Sequence, residues 1–215
     1  MSAVLKSITA EQYLNHERKA AFRSEFFRGE VFAMAGGSAS HSLIVANFIG
    51  EARQSLKGKL CKVFSSDLRV KVNASGLYTY PDASIVCGEL LFDDKQEDTV
   101  TNPTVLVEVL SDSTEKYDRG VKCGHYRQIA SLKEIVLIAQ DHPHVERFVR
   151  QDSGGWLLLE ERGMSGEITL ESVGVSITLA ELYRGVTFDL NVSTSQQSTL
   201  ESGIAIEEPR PGSGD

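Results

Sequence analysis

The stretch that decides the fold is "TVLVEVLSDSTEKYDRGVKCGHYRQIASLKEIVLIAQ", residues Thr104–Gln140. It opens with an apolar run typical of a buried strand, continues with apolar residues at helical spacing, and closes with a second apolar run. A strand, a helix and a strand in this order predict a crossover between parallel neighbours. The chain is therefore predicted to be an α/β protein built on a mixed β-sheet.

The segments on either side of this crossover add helices and hairpins. Thr9 and Gln12 have the spacing of a capping box and predict the start of a first helix. The periodicity of "SASHSLIVANFIGEARQSLKGK" predicts a second helix that closes at Gly58. Turn residues separate the segments predicted as hairpins, further strands and a last short helix, which are "EFFRGEVFAMAGG", "CKVFSS", "LRVKVN", "YPDASIVC", "VERFVRQDSGGWLLLEE" and "TLAELYRG".

Length and composition favour one domain over residues 1–190 and a flexible polar tail over residues 191–215. The 215 residues are 41% hydrophobic and 24% charged, which is enough to form a core. The N-terminus lacks a signal-peptide pattern and no apolar run is long enough to span a membrane, so we expect a cytoplasmic protein. The three cysteines, Cys61, Cys87 and Cys123, are far apart and show no zinc spacing, so we expect them to be reduced and mostly buried.

The net charge of −8 bears on possible partners. Lysine and arginine usually supply much of the affinity for nucleic acid by neutralising phosphates. From Asp189 onward, however, the chain carries five acidic residues and one basic residue, so the preceding part is only mildly acidic. Composition alone neither supports nor excludes nucleic acid as a partner.

Two carboxylates stand out against apolar strands. Asp82 comes at the start of one strand-like segment, and Glu108 interrupts the apolar run of another. Burying an unpaired carboxylate is costly, so each needs a cation or hydrogen-bond donors. If the two strands are neighbours, the acids form an oxygen-rich site for Mg²⁺ or Mn²⁺. The alternative is that Asp82 caps a turn after Pro81 and Glu108 pairs with a buried base.

The residues around these acids resemble a known family. "YPDASIV" and "VLVEVLSDSTEKYDRGVKCGHYRQIASLKEIVLI" closely resemble the Uma-type family of restriction-endonuclease-like proteins, within the PD-(D/E)XK nuclease superfamily. Further matches are "EFFRGEVFAMAGGSASH", "CKVFSSDLRV" and "VERFVRQDSGGWLL", so the resemblance covers nearly Thr9 to Leu190. It implies a restriction-endonuclease-like core, a mixed sheet flanked by helices with added β-hairpins, and metal-dependent cleavage of DNA, in a superfamily whose members often act as homodimers.

The resemblance also implies roles for single residues. Asp82 and Glu108 correspond to the metal ligands. The glutamate of "EFFRGE", Glu25, either completes or supports the ligand set or is a surface acid. The superfamily's usual lysine position is Leu110 here, and the lysine has moved to the following helix as Lys122. We expect Lys122 at that helix's surface, where it contributes little to packing. The cation would polarise a phosphodiester oxygen and activate a water, while the lysine would offset phosphate charge.

Other residues leave alternatives open. Lys116 is the second lysine of the helix, but a cation near a helix start is disfavoured. Asp112 stands where the family usually has proline and adds a negative charge that casts doubt on activity. A non-catalytic interaction module or nucleic-acid-binding module with the nuclease fold is therefore the rival function. His41 either has a functional role or caps its helix. Arg69 and Lys71 either follow a phosphate backbone or form an exposed strand face. His142 and His144 read as turn residues rather than metal ligands, and Tyr126 as a packing residue.

Overall fold

The computed structural model describes residues 7–34 and 36–188. The helical segments are α1 (Ala10–Glu17), α2 (Ala39–Ser55), α3 (Glu115–Tyr117), a π-helical turn (Asp118–Lys122), α4 (Cys123–Tyr126) and α5 (Leu179–Leu182). The first strands are β1 (Ser24–Phe27), β2 (Glu30–Ala33), β3 (Cys61–Ser65), β4 (Arg69–Val72), β5 (Leu77–Thr79), β6 (Ala83–Cys87) and β7 (Thr99–Val100). The later strands are β8 (Val105–Leu110), β9 (Glu134–Ala139), β10 (His144–Arg150), β11 (Trp156–Arg162), β12 (Glu167–Leu170) and β13 (Val175–Thr178).

The strands form three sheets. The largest has the order β11-β10-β9-β8-β6-β3, a second has the order β2-β1-β5-β4-β7, and β12 pairs with β13. In the largest sheet β8 and β9 are parallel, joined by the helical segment from Glu115 to Tyr126, while its other neighbours are antiparallel. The predicted crossover and the mixed sheet are therefore confirmed.

Alternate side chains of β8 face two different hydrophobic cores. Val105, Val107 and Val109 face the first core, which α2, α5 and the β12–β13 hairpin cover. Leu106 and Leu110 face the second core, which lies between the large sheet, the α4 region and β4–β5. Successive side chains of a strand point to opposite faces, so Glu108 is directed towards this second core.

The N-terminal elements follow the sequence prediction closely. The Thr9 hydroxyl accepts from the Gln12 amide, and the Gln12 side chain accepts from the Thr9 amide, which completes the capping box of α1. The β1–β2 hairpin turns at Arg28 and Gly29, both with positive φ. Such a turn favours glycine at one of its positions, because glycine has no Cβ and adopts a left-handed backbone without a steric penalty.

One prediction about the cysteines is wrong. Cys61 and Cys87 are joined by a disulfide, whereas Cys123 is a buried free thiol. The two half-cystines lie directly opposite each other on the neighbouring strands β3 and β6. Their separation of 26 residues conceals this, because strand register, rather than spacing along the chain, brings the sulfur atoms together.

The predicted domain end at residue 190 and the predicted tail over residues 191–215 lie outside the described residues, and both remain predictions. Within the described ranges, none of the helices combines the length and the apolar character needed to cross a membrane.

Candidate active site

Asp82 and Glu108 meet where β6 and β8 run side by side. Ala83 of β6 pairs with Val107 of β8 in the antiparallel register, so one further step sets Asp82 opposite Glu108. Directly opposed residues in such a pair have neighbouring side chains on one face. The sequence-based expectation that the two strands are neighbours is therefore confirmed. Glu108 is only 3% exposed, so its carboxylate needs partners inside the protein.

The Lys122 ammonium is the main partner of Glu108. Its Nζ lies 3.0 Å from Glu108 Oε1, 3.3 Å from Glu25 Oε1 and 3.5 Å from Asp118 Oδ1. All four side chains are buried. The expected position of Lys122 at the helix surface is therefore wrong, because its amine is directed into the protein, where it contacts three acids.

A π-helical turn presents two of these four residues. Asp118 opens the turn and Lys122 ends it, and both side chains are buried while Gly120 between them is exposed. π turns are rare and often occur at functional sites. Sequence reasoning missed Asp118. The signal that could have found it is a carboxylate four residues before a lysine, a spacing at which side chains on a helix are neighbours.

Hydroxyl groups fix the orientation of the two glutamates. Glu25, on β1, accepts hydrogen bonds from Thr79 Oγ1 and from the Tyr117 hydroxyl, the latter at 2.9 Å. Glu108 Oε1 accepts a hydrogen bond from the Tyr126 hydroxyl. Tyr126 is completely buried, so it packs the helix as predicted and also holds a carboxylate of the cluster.

Asp82 and His41 form the more open end of the site. Asp82 Oδ2 accepts from the Val109 amide at 2.7 Å and lies 3.1 Å from His41 Nε2. Both side chains are 18% exposed, far more than Glu108 or Lys122. The cap of α2 is Ser38, whose hydroxyl accepts from the His41 amide. The His41 imidazole is therefore free of a capping role and faces Asp82 instead.

Three carboxylates surround one ammonium, and burial together with this surplus of negative charge shifts the pKa values of the cluster. Burial raises the pKa of Glu108 well above its ordinary range, and Asp82 and Asp118 act in the same direction, against Lys122. Burial also raises the pKa of Asp118. Burial alone would lower the pKa of Lys122, but the surrounding acids outweigh it and raise that pKa. The raised pKa of Lys122 keeps its proton in place, and the raised pKa values of Glu108 and Asp118 mean that these two acids bind protons more readily than in water.

The donor set fits a hard divalent cation. The acids offer only oxygen atoms, which Mg²⁺ and Mn²⁺ prefer, and a second positive charge would relieve the excess of negative charge. Among the described residues, no three of these acids have ligand oxygens within 4.8 Å of one another. The Lys122 ammonium lies against Glu25, Glu108 and Asp118 instead.

Asp82 has a structural role that does not depend on a metal. The β6–β8 ladder ends at Ala83 and Val107, and the Val109 amide beyond it donates to Asp82. Asp82→Ala leaves this buried amide without an acceptor, so we expect the free energy of unfolding in urea to fall by about 1–3 kcal/mol. Asp82→Asn keeps an acceptor oxygen and should lose clearly less. Equal losses in the two variants would contradict this role.

Several sequence-based candidates lie away from the cluster. Leu110, at the superfamily's usual lysine position, is buried in the second core, and Lys116 and Asp112 are exposed. The two bases expected on a strand face are already paired. Arg69 is buried and bonded to Thr99, Tyr80 and Asp98, and Lys71 is bonded to Asp93. An exposed strand face was therefore wrong for Arg69, and neither base is free to follow a phosphate backbone.

The chain is similar to known proteins over most of its length. A family model named Uma2, described as "Putative restriction endonuclease", matches residues 10–180. Two similar proteins of Synechocystis sp. are both called uncharacterized. The protein slr1290 is 34% identical over 187 residues, which cover 87% of this chain and 97% of that protein. The protein sll1609 is 36% identical over 166 residues, which cover 77% and 94% respectively.

A solved structure shares the fold. It is the crystal structure of a "putative nuclease belonging to DUF820" from Anabaena variabilis, and it matches with a TM-score of 0.68. The match covers 82% of this chain and 97% of the other, at 16% sequence identity. A match at such low sequence identity shows only that the two chains share a fold. The predicted fold, a restriction-endonuclease-like mixed sheet with flanking helices, is confirmed.

Proposed function

The chain belongs to the Uma2 family of restriction-endonuclease-like proteins, and from that membership we propose that it is a metal-dependent endonuclease hydrolysing phosphodiester bonds in DNA. The family membership predicted from the sequence is confirmed, and it supports a nuclease function. The observation that carries the proposal is the buried cluster in which Glu25, Glu108 and Asp118 surround Lys122. Such an excess of buried acid is costly in a structural ion pair and useful where a cation binds.

Each residue of the cluster has a part in the proposal. Asp82 and Glu108 hold Mg²⁺ or Mn²⁺, and Glu25 and Asp118 supply further oxygen atoms or orient those ligands. When bound, the cation polarises a phosphate oxygen and lowers the pKa of a water. Lys122 keeps a positive charge beside the phosphate that enters. Because Asp82 and His41 are the more exposed members, the substrate approaches from their side.

The test is incubation of the protein with supercoiled plasmid and with single-stranded DNA, in Mg²⁺, in Mn²⁺ and in EDTA. We expect nicked and linear products only with a divalent cation, and none from Asp82→Asn, which keeps the fold. Cleavage that survives EDTA, or that is equal in Asp82→Asn, would come from a contaminant or from another site. Absence of cleavage under every metal condition would reject the enzyme.

The rival function is a non-catalytic module that binds a partner through the nuclease fold. It is favoured by the ion pairs of Arg69 and Lys71, which remove two bases from phosphate binding, and by the exposed Asp112. The plasmid assay separates the endonuclease from a non-catalytic module that binds nucleic acid, and a gel-shift titration separates it from a module for protein partners. The endonuclease should bind a DNA duplex in Ca²⁺, which substitutes for Mg²⁺ as an oxygen-bound cation, whereas a module for protein partners should not.

Gly37 offers a sharp test of the contact between His41 and Asp82. A Cβ placed on Gly37 would lie 2.7 Å from His41 Nδ1, whereas a Cβ on Gly36 would meet nothing within 4 Å. Gly37→Ala should therefore push the imidazole away from Asp82. Misplacing a group of the active site by about 1 Å can cost roughly 100-fold in rate. We expect Gly37→Ala to lose cleavage to the same extent as His41→Ala, and Gly36→Ala to cleave like the parent.

The prediction on Gly37 fails if Gly37→Ala keeps full activity while His41→Ala loses it. Circular dichroism of all three variants excludes a general loss of structure as the cause.

We further propose that the enzyme is a homodimer. Two-fold symmetry would present two sites to the two strands of a duplex. The edge strand β11 supports this, because Leu157, Leu158 and Leu159 are exposed and its outer edge pairs with no other described strand. Unpaired apolar edges tend to pair with another chain. Light scattering at micromolar concentration should give twice the chain mass, and Leu158→Lys should lower it, whereas a monomer mass for the parent would reject the dimer.

A cytoplasmic location remains a proposal, and the Cys61–Cys87 disulfide weighs against it. The cytoplasm of most organisms keeps thiols reduced. Thiol titration of freshly isolated protein under denaturing conditions decides the matter. One reactive thiol indicates that the disulfide persists in the cell, and three indicate a reducing compartment.

A further inference from the structure

A second group of metal-ligating side chains lies on the β10–β11 hairpin. Glu146 and Glu160 are directly paired across the two strands, and His144 precedes Glu146 by two residues, on the same face. One ligand atom from each of the three residues lies within 4.8 Å of the other two. His144 Nε2 is 3.2 Å from Glu160 Oε1. The group is therefore compact, unlike the oxygens around Lys122.

The burial of His144 differs from the sequence-based expectation. It was expected in a turn, but it is the first residue of β10 and is only 5% exposed. Its amide donates to the Tyr183 hydroxyl, which fixes the backbone. The buried imidazole has its Nε2 against Glu160 and a ring nitrogen near both carboxylates, where the three side chains can share a cation.

The two glutamates lie opposite each other at a cost. Like charges directly opposed in an antiparallel pair repel. Arg119 pairs with Glu146 and Arg162 pairs with Glu160, the latter at 3.1 Å between largely exposed side chains. Exposed ion pairs contribute little, about 0–1 kcal/mol. A divalent cation between the glutamates would compensate both charges more effectively than Arg162 does.

We infer that His144, Glu146 and Glu160 form a second metal site, which takes a transition-metal ion such as Zn²⁺ rather than Mg²⁺. One imidazole nitrogen and two carboxylate oxygens suit Zn²⁺, whereas Mg²⁺ prefers oxygen alone. Three protein ligands leave a fourth position open, as in zinc sites that exchange water or bind a substrate group. Glu146 exchanges its contact with Arg119 for the metal, so we expect micromolar affinity.

Strand register places this site beside the proposed nuclease centre and separate from it. Glu108 pairs with Leu137, Leu137 with Glu146, and Glu146 with Glu160. Paired residues share a face, so the three acids form one row across the sheet. Neighbouring strands are about 4.8 Å apart, so the backbones at Glu108 and Glu146 are separated by roughly 10 Å. The inference does not depend on the nuclease function.

The test is calorimetric titration of the untagged protein with Zn²⁺ in excess Mg²⁺, which saturates the oxygen-rich site. We expect one Zn²⁺ per chain, retained in Glu108→Gln and weakened at least about 100-fold in Glu160→Gln and His144→Gln. Glu161→Gln is the matched control, because the next residue of β11 points to the opposite face. Glu160 is 40% exposed, so its variant should fold even if the His144 variant does not.

Three outcomes would overturn the inference. They are absence of Zn²⁺ binding in the parent, full binding in Glu160→Gln, and binding that disappears in Glu108→Gln while Glu160→Gln retains it. Replacing Zn²⁺ by Co²⁺ adds a spectroscopic check, because visible absorption of the bound ion should disappear in Glu160→Gln and persist in Glu161→Gln.

Discussion

Glu108→Gln should abolish DNA cleavage while the protein remains folded. The substitution keeps the side-chain volume and still accepts from the Tyr126 hydroxyl, and Lys122 retains Glu25 and Asp118 as partners. Removing one carboxylate from a site with surplus acid lowers its affinity for a divalent cation. Loss of supporting groups alone costs about 10–100-fold in metal affinity or activity, so loss of a ligand should exceed about 100-fold. Plasmid nicking and calorimetry with Mn²⁺ measure both quantities.

The matched control is Glu134→Gln. Glu134 is also fully buried, on the adjacent strand β9, but it is bonded to Arg147 and Ser172 rather than to the cluster. The Glu134→Gln variant should be less stable than the parent. At temperatures where it is folded, it should cleave DNA and bind Mn²⁺ like the parent. If Glu108→Gln and Glu134→Gln have the same activity and the same Mn²⁺ affinity, Glu108 is not a metal ligand.

Lys122→Met should lower two measured quantities, cleavage and stability, and raise a third, the affinity for Mn²⁺. Cleavage should fall by about 10²–10³-fold, the range typical of a lost group that stabilises charge in the transition state. Without metal, the free energy of unfolding should fall by about 3–5 kcal/mol, because three buried carboxylates lose their cation. Affinity for Mn²⁺ should rise about tenfold or more, since the ammonium no longer repels the ion. Two unit charges about 4 Å apart interact by roughly 4 kcal/mol at an effective dielectric constant near 20.

This pattern distinguishes a lysine that competes with the metal from one that only packs. Because a bound ion stabilises the folded state, Mn²⁺ should raise the melting temperature of Lys122→Met more than that of the parent. Lys116→Met is the control, since Lys116 is exposed on the same helical segment, and it should behave like the parent in all assays. Weaker Mn²⁺ binding by Lys122→Met would reject the competition.

The fold was predictable because its main signals are local. The apolar runs of β8 and β9 and the helical spacing between them fixed the crossover, and the capping box fixed the start of α1. Two residues of the candidate site, Asp82 and Glu108, could be proposed together because one precedes an apolar strand and the other interrupts one. Membership of the family added Glu25 and Lys122, which patterns alone did not distinguish from surface residues.

The rest depends on contacts that no local pattern encodes. The burial of Lys122 follows from the π turn, whose hydrogen bonds have no clear sequence signal. The disulfide follows from the register of β3 and β6. His144 looked like a turn residue because Pro143 precedes it, yet the strand begins there and its imidazole is covered by the hairpin. Arg69 stands at a polar position of an alternating strand, which is typical of an exposed residue, but the segment that carries Thr99 covers its side chain.

The π turn also determines how the helical segment that carries Lys122 can vary in length. A π turn spans one residue more than an α turn, so the turn can be viewed as an α-helix that has absorbed an insertion. Deleting one residue there, at the exposed Gly120, would restore a regular α-helix and leave the faces before and after the turn nearly in phase. Deleting Gly124, in the regular helix after the turn, would instead rotate everything after it by about 100°, one residue's share of a 3.6-residue turn, and take Tyr126 away from Glu108. The π turn is therefore a place where this segment can lose a residue while Lys122 and Tyr126 stay beside Glu108.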